Sequence, residues 1–228
     1  MRRILAAMTG EGPDATTARA TMVERQLRGR GISDARVLDA MGTVPRERFV
    51  PDRWRGAAYA DEALPIDAGQ TISQPAMVGQ MTELLRVRPG ARILEIGTGS
   101  GYQAAVLATM GAEVTSIERQ ASLVEPARRR LAELGLAERV RIRAGDGSVG
   151  DPAGAPWDGI IVTAAAPEVP QALREQLADG ARLVIPVGPR WEQLLTTVER
   201  HGDDWTEWSS GGCVFVPLIG EAGFDPEP

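Results

Sequence analysis

Between about residue 92 and residue 187 short apolar runs alternate with stretches whose apolar positions recur at helical spacing. The runs predict strands near 92–96, 113–118, 139–144, 158–163 and 181–187. The stretches between them predict helices near 101–110, 120–134 and 168–178. Such alternation builds a mostly parallel sheet with right-handed crossovers, a doubly wound, Rossmann-like α/β fold. Beyond Pro189 the helical spacing stops. Leu194 to Glu199 and Gly212 to Leu218 read as strands joined by a polar turn at His201 to Asp204, so an antiparallel C-terminal edge is expected.

Upstream the pattern is different. Residues 1–14 are small, polar and punctuated by Gly and Pro, and are expected to be disordered. A helical pattern starts at Met22 to Leu27 and stops at Gly29-Arg30-Gly31; Ser33 then reads as an N-cap for Asp34 to Met41. Val44 to Pro51 is a short proline-bounded element, and the chain stays irregular to Gln74, with a turn signal at Asp67-Ala68-Gly69. Pro75 suits the first turn of a helix reaching about Arg86, whose Met77, Val78, Met81, Leu84 and Leu85 form a core-facing stripe. No repeat or linker interrupts the chain, so 15–228 is expected to be one domain. Within it, 15–90 would be a helical cap carrying the substrate segment, 91–189 the cofactor-binding core and 190–220 the C-terminal strands.

The chemistry concentrates where the first long apolar run ends. Ile93 to Ile96 leads into Gly97-Thr98-Gly99-Ser100-Gly101, and a helix-compatible segment begins at Tyr102. Strand, glycine turn and helix start let backbone approach a nucleotide-like ligand closely. The glycine spacing is not that of the dinucleotide fingerprint, which disfavours an NAD oxidoreductase. Glu118 ends the next apolar run, about 17 residues beyond Gly101, where a carboxylate can take both hydroxyls of a ribose. Glu95 lies inside an apolar strand, where a carboxylate is costly unless hydrogen-bonded; binding the glycine loop's N–H groups and touching a ligand are both open to it. Together these segments resemble the S-adenosylmethionine site of class I methyltransferases.

Composition removes competing chemistries. With 31 acidic and 25 basic residues the net charge is −6, which offers no basic face for nucleic acid or an anionic membrane. Arg128-Arg129-Arg130 share a predicted helix with Glu125 and Glu133 and read as a solvated face. One cysteine, Cys213, excludes an intramolecular disulfide and a multi-cysteine metal site, and one histidine, His201, sits in the polar turn. Ser-His, Cys-His and zinc mechanisms are therefore not expected, and no metal is. The apolar part of the N-terminus is too short for a signal peptide, so the cytoplasm is expected.

Three further segments narrow the class. Val44-Pro45-Arg46-Glu47-Arg48-Phe49-Val50 comes first, then Leu64-Pro65-Ile66 with Gln70-Thr71-Ile72-Ser73-Gln74-Pro75, and Phe215-Val216-Pro217-Leu218 closes the fold. With the glycine turn and Ala144-Gly145-Asp146-Gly147, they resemble the protein-L-isoaspartate O-methyltransferase family, in order from about Met22 to Leu218. The resemblance implies methyl transfer from S-adenosyl-L-methionine, with S-adenosyl-L-homocysteine as product, to the free carboxylate of L-isoaspartyl residues in damaged proteins and peptides. The ester then cyclises to a succinimide that can reopen as aspartate. A monomer is expected.

By that resemblance Ser73 matches the active-site serine, Glu118 the ribose-binding acid, and Asp146-Gly147 the segment beside the adenine. Thr71, Ile72, Glu95, Gly97, Thr98, Gly99 and Ser100 are assigned to the cofactor as well. Ser73, Ala164, Ala165, Val216, Pro217 and Leu218 are assigned to the substrate. Ser73 also suits an N-cap, and both roles stay open. The small residues of Thr163 to Pro167 either leave room for substrate or permit a tight turn. Val214 to Leu218 is either an edge for an extended peptide or an ordinary final strand. Ala76 stands where the family often carries a ring, which puts one pocket wall in question. A carboxylate is already ionised at neutral pH, so no general base is needed, and a serine can aim it without neutralising it. Two rivals keep the fold: aspartate methylation in a dedicated peptide, and S-adenosylmethionine binding without catalysis.

Overall fold

A computed structural model of the protein describes residues 13–226. Helix α1 spans Pro13–Met22, a π-turn Val23–Leu27 and a 3-10 turn Arg28–Arg30 continue it, and Gly31 closes it at φ 89°. Residues 1–12 of the expected disorder lie outside the described residues, but 13 and 14 are helical. Pro-Asp-Ala-Thr-Thr-Ala carries no apolar stripe, so periodicity showed nothing before Met22. Helix α2 is Ala35–Thr43, and its N-cap is Asp34, which accepts from the Arg36 N–H at 2.8 Å. The expected cap, Ser33, instead donates its N–H to Glu83 Oε1 at 2.7 Å. Both residue types cap well, and the cross-element carboxylate decided between them.

The proline-bounded segment is a 3-10 turn, Arg46–Phe49, and it explains why a helical cap adheres to the sheet. Arg46 is fully buried, donates Nε to the Ala58 carbonyl at 2.7 Å, and lies 4.9 Å above the Tyr102 ring. Phe49 meets the same ring edge-on at 5.4 Å between centroids. Tyr102 opens the helix after the glycine turn, so the cap grips the element that shapes the site.

Strands β1 (Leu64–Pro65) and β2 (Thr71–Ile72) pair antiparallel around a 3-10 turn, Asp67–Gly69. Helix α3, Pro75–Leu85, follows, with Pro75 in its first turn. The main sheet contains β3 (Arg92–Ile96), β4 (Glu113–Glu118), β5 (Val140–Ala144), β6 (Trp157–Val162), β7 (Leu177–Val187), β8 (Gln193–His201) and β9 (Asp204–Cys213). Their spatial order is β5-β4-β3-β6-β7-β8-β9. The first five are parallel, and β8 and β9 add antiparallel pairs, giving the doubly wound sheet with an antiparallel edge. Helices α4 (Tyr102–Thr109), α5 (Ala121–Glu133) and α6 (Gln171–Glu175) complete the crossovers.

The sheet is buried on both faces, as parallel sheets are. Ile93, Ile161 and Val184 join a core with the cap, α3, α4 and α5. Leu94, Ile160, Val162 and Leu183 join a second core with Leu173 of α6 and Leu218. Two expectations need correcting. The helix predicted at 168–178 is only Gln171–Glu175, because Leu177 already pairs with Trp157. The last strand is Asp204–Cys213 and not Gly212 to Leu218. Beyond Cys213 the chain leaves the sheet edge and crosses to Ala165: the Ala165 N–H donates to Val216 O at 2.8 Å, and the Leu218 N–H to Ala165 O at 2.7 Å. Leu218 is thereby buried, which an edge strand would not achieve.

Candidate functional site

Strands β3 and β6 are neighbours although the chain visits β4 and β5 between them, so their carboxyl ends bound the switch-point crevice where α/β sheets bind ligands. The glycine turn sits there. Gly97, Gly99 and Gly101 have φ of 94°, 53° and 91°, conformations in which a side chain is strained. A Cβ on Gly97 would also run into Thr163 Oγ1, which donates to the Gly97 carbonyl at 2.6 Å. Bare backbone at this turn is thus required twice over.

Glu118, at the end of β4, is only 5% exposed yet lines the cavity. Its Oε2 accepts the Gly99 N–H at 2.8 Å and its Oε1 the Gln120 N–H at 2.7 Å. A carboxylate offers about four acceptor positions, so about two remain for a diol. Around it, Gly97, Thr98, Gly99 and Ser100 form one wall, with Gly147 beside them. Thr71, Ile72 and Ser73 form the wall opposite, brought over the glycine turn by the β1–β2 hairpin; Ile66 Cδ1 lies 3.6 Å from where a Cβ on Gly99 would be. Ala164, Val216, Pro217 and Leu218 close the third side.

Ser73 is half-buried, and no hydrogen bond joins its hydroxyl to a described residue. It does not cap α3: the N-cap position is Gln74, and no side chain caps that helix. Ala76 is buried and does not line the cavity.

Three assigned residues do not reach the cavity. Ala165 is held behind it by its two backbone bonds to Val216 and Leu218. Asp146 lies beside Gly147 but off the wall; its Oδ1 accepts the Ser148 N–H at 2.8 Å and its Oδ2 the Glu221 N–H at 2.8 Å. Partial burial pushes its carboxyl up, but the Glu221 and Ser148 hydrogen bonds outweigh that and hold it below the usual range. Glu95 is fully buried and accepts from the Ser116 hydroxyl, which lies 2.5 Å from Thr98 Oγ1. It lies off the wall and reaches the turn through two hydroxyls, those of Ser116 and Thr98. Residues not assigned from sequence also line the cavity, among them Met81, Gln103, Arg119, Gln120 and Thr163. Arg119 and Gln120 directly follow Glu118, so their place at the strand end was a usable signal.

Burial pushes the Glu95 carboxyl up to about 8, with the Ser116 hydroxyl pulling the other way. The folded chain therefore keeps a proton that the unfolded chain releases above pH 4.5. The contribution of Glu95 to stability is fully present below that pH and is lost as pH rises toward about 8. Glu95→Gln is a neutral isostere and flattens this decline. Thermal melts of both proteins from pH 5 to 9 check it; parallel curves would mean that Glu95 is ionised in the fold.

These walls fit an adenosyl sulfonium. The bare glycine turn admits it, Glu118 has acceptors left for the ribose, and Ile96, Ile117 and Leu218 supply apolar surface.

Comparison with known proteins points the same way. The family model for protein-L-isoaspartate (D-aspartate) O-methyltransferase matches residues 18–223. A protein-L-isoaspartate O-methyltransferase of Methylorubrum populi is 58% identical over 207 residues, 90% of this chain and 97% of that protein. One of Methanoregula boonei is 53% identical, covering 91% and 95%. A solved protein-L-isoaspartate O-methyltransferase superposes with a TM-score of 0.80 at 29% identity, over 90% of this chain and 67% of the other. A Plasmodium falciparum structure described as a putative member, in complex with S-adenosyl-L-homocysteine, gives 0.76 at 26% identity, over 88% and 98%.

Proposed function

The chain belongs to the protein-L-isoaspartate (D-aspartate) O-methyltransferase family, and we propose that the cavity between Ser73 and Glu118 is where it performs that family's reaction. It is an S-adenosylmethionine-dependent carboxyl methyltransferase acting on L-isoaspartyl residues. When bound, S-adenosylmethionine supplies a methyl on a sulfonium, which passes to a carboxylate oxygen as the carbon–sulfur bond breaks and S-adenosylhomocysteine forms. The observation that carries the placement is that a serine with an unengaged hydroxyl and a carboxylate with spare acceptors open onto one cavity.

Glu118 holds the ribose, and the glycine turn with Thr71 and Ile72 holds the rest of the cofactor. Ser73 donates one hydrogen bond to the substrate carboxylate and fixes its direction. That carboxylate, with an unperturbed pKa of about 3.5, carries no proton to remove, so the chain needs no base at the site. Orientation is then the main service, and it can contribute about 7–11 kcal/mol. Ala164 leaves room for the isoaspartyl backbone, while Val216 to Leu218 flank it. The protein acts as a monomer on damaged polypeptides in the cytoplasm, and its acidic balance gives nucleic acid no basic face. Among the described residues no helix is long and apolar enough to cross a membrane.

Methyl incorporation from labelled S-adenosylmethionine into paired peptides, identical but for L-isoaspartate or L-aspartate, tests the assignment. Label enters the isoaspartyl peptide alone. Equal labelling of the aspartyl peptide would favour a dedicated aspartate substrate, and no labelling of either would overturn the reading.

A further inference from the structure

Among the described residues the exposed large apolar side chains are Trp191, Leu194 and Val214, at 82%, 51% and 74% exposure. Scattered singly they would need no explanation. They are not scattered. Trp191 lies in the turn between β7 and β8, Leu194 near the start of β8, and Val214 just past the end of β9. Gln193 ties these pieces together: it pairs with Cys213 and accepts the Phe215 N–H on its side-chain Oε1 at 2.9 Å, while its Nε2 donates to the Pro189 carbonyl at 2.6 Å. The same turn is anchored at the crevice, where the Gly188 N–H donates to Ala166 O at 3.0 Å. The three residues thus mark one end of the sheet edge, the end from which the chain runs on to the cavity wall.

We propose that Trp191, Leu194 and Val214 form a landing surface for an apolar side chain of the substrate polypeptide, a few residues from the isoaspartate. The inference rests on the placement of the reaction at the Ser73 cavity. Continuity with that cavity identifies the occupant. Val214 is two residues from Val216 on the wall, about 7 Å of extended chain, so a substrate strand covers the gap in about two residues. An apolar platform also suits an enzyme that must accept many sequences, because hydrophobic contact is non-directional and asks for no particular partner group. It favours damage in locally unfolded segments, where chain is extended and neighbouring apolar side chains are free.

The test uses isoaspartyl peptides of equal length carrying leucine or serine two residues from the isoaspartate, on either side in turn. With the wild-type protein, leucine on one side lowers KM about 5- to 10-fold, as partial burial of one such side chain provides. Trp191→Ser raises the KM of the leucine peptide to that of the serine peptide. It leaves kcat, S-adenosylmethionine affinity and the serine peptide's KM as they were. A preference for leucine that survives Trp191→Ser overturns the inference, as does no preference at all. So does a wild-type dimer in solution that Trp191→Ser dissociates, since a second copy would then own the surface. Absence of turnover with every isoaspartyl peptide would instead sink the catalytic reading beneath it.

Discussion

Replacing Glu118 by alanine weakens S-adenosylmethionine binding by about 1.5–3 kcal/mol, the range for hydrogen bonds to a charged group, or roughly 10- to 150-fold in Kd. Two losses contribute. The ribose loses its acceptors, and the N–H groups of Gly99 and Gln120, held at 2.8 and 2.7 Å, lose theirs. The second loss loosens the turn itself, so Glu118→Gln separates the two. Its amide oxygen still serves one of those N–H groups, while its NH2 faces the other as a second donor. Both variants bind the cofactor more weakly than the wild type, alanine more so, and isothermal calorimetry on folded protein measures the order. An unchanged Kd in Glu118→Ala would take Glu118 out of the cofactor site.

Much of the fold was legible because its strands are short apolar runs between glycine and polar punctuation. The limits of β3 and β4 agree with the pattern to the residue, and those of β5 and β6 to within one. What periodicity misjudged was decided by long-range pairing. Val214 to Leu218 looks like a better strand than Asp204 to Cys213, yet β8 takes the latter. Trp205 and Trp208 then pair with Arg200 and Thr197, while the apolar run is drawn away to Ala165. A stretch of Ser and Gly at 209–212 becomes strand only because a partner is already there.

The site divides along a similar line. Glycines with a positive φ and a carboxylate at a strand end announce themselves, because few other residues could take those places. Glu95 and Asp146 are carboxylic side chains like Glu118, but Glu95 turns to the Ser116 hydroxyl and Asp146 accepts the Glu221 N–H, so neither lines the cavity. Arg46 and Phe49 carried a family resemblance but no visible purpose. Their contact with Tyr102, by which the cap holds the first residue of α4, exists only in three dimensions.

Ser73→Ala lowers kcat by about 10²-fold, the effect expected when a reacting group is misplaced by about 1 Å, and leaves cofactor affinity close to that of the wild type. The asymmetry follows from position. Ser73 shares the cavity with the glycine turn, but its hydroxyl makes no hydrogen bond to another described residue, so removing it costs the fold and the cofactor little. It caps no helix either, and the melting temperature should hold, which a capping role would not allow. The alternative chemistry, in which the serine attacks and carries a group itself, would need a base to take its proton. The single histidine, His201, is the exposed last residue of β8, at the β8–β9 hairpin, whereas the cavity is bounded by the opposite, carboxyl ends of β3, β4 and β6. Intact-mass and peptide mass spectrometry after turnover should accordingly find Ser73 unmodified. A methyl or acyl adduct trapped there, or a kcat in Ser73→Ala equal to the wild type's, would overturn its role as the group that aims the carboxylate.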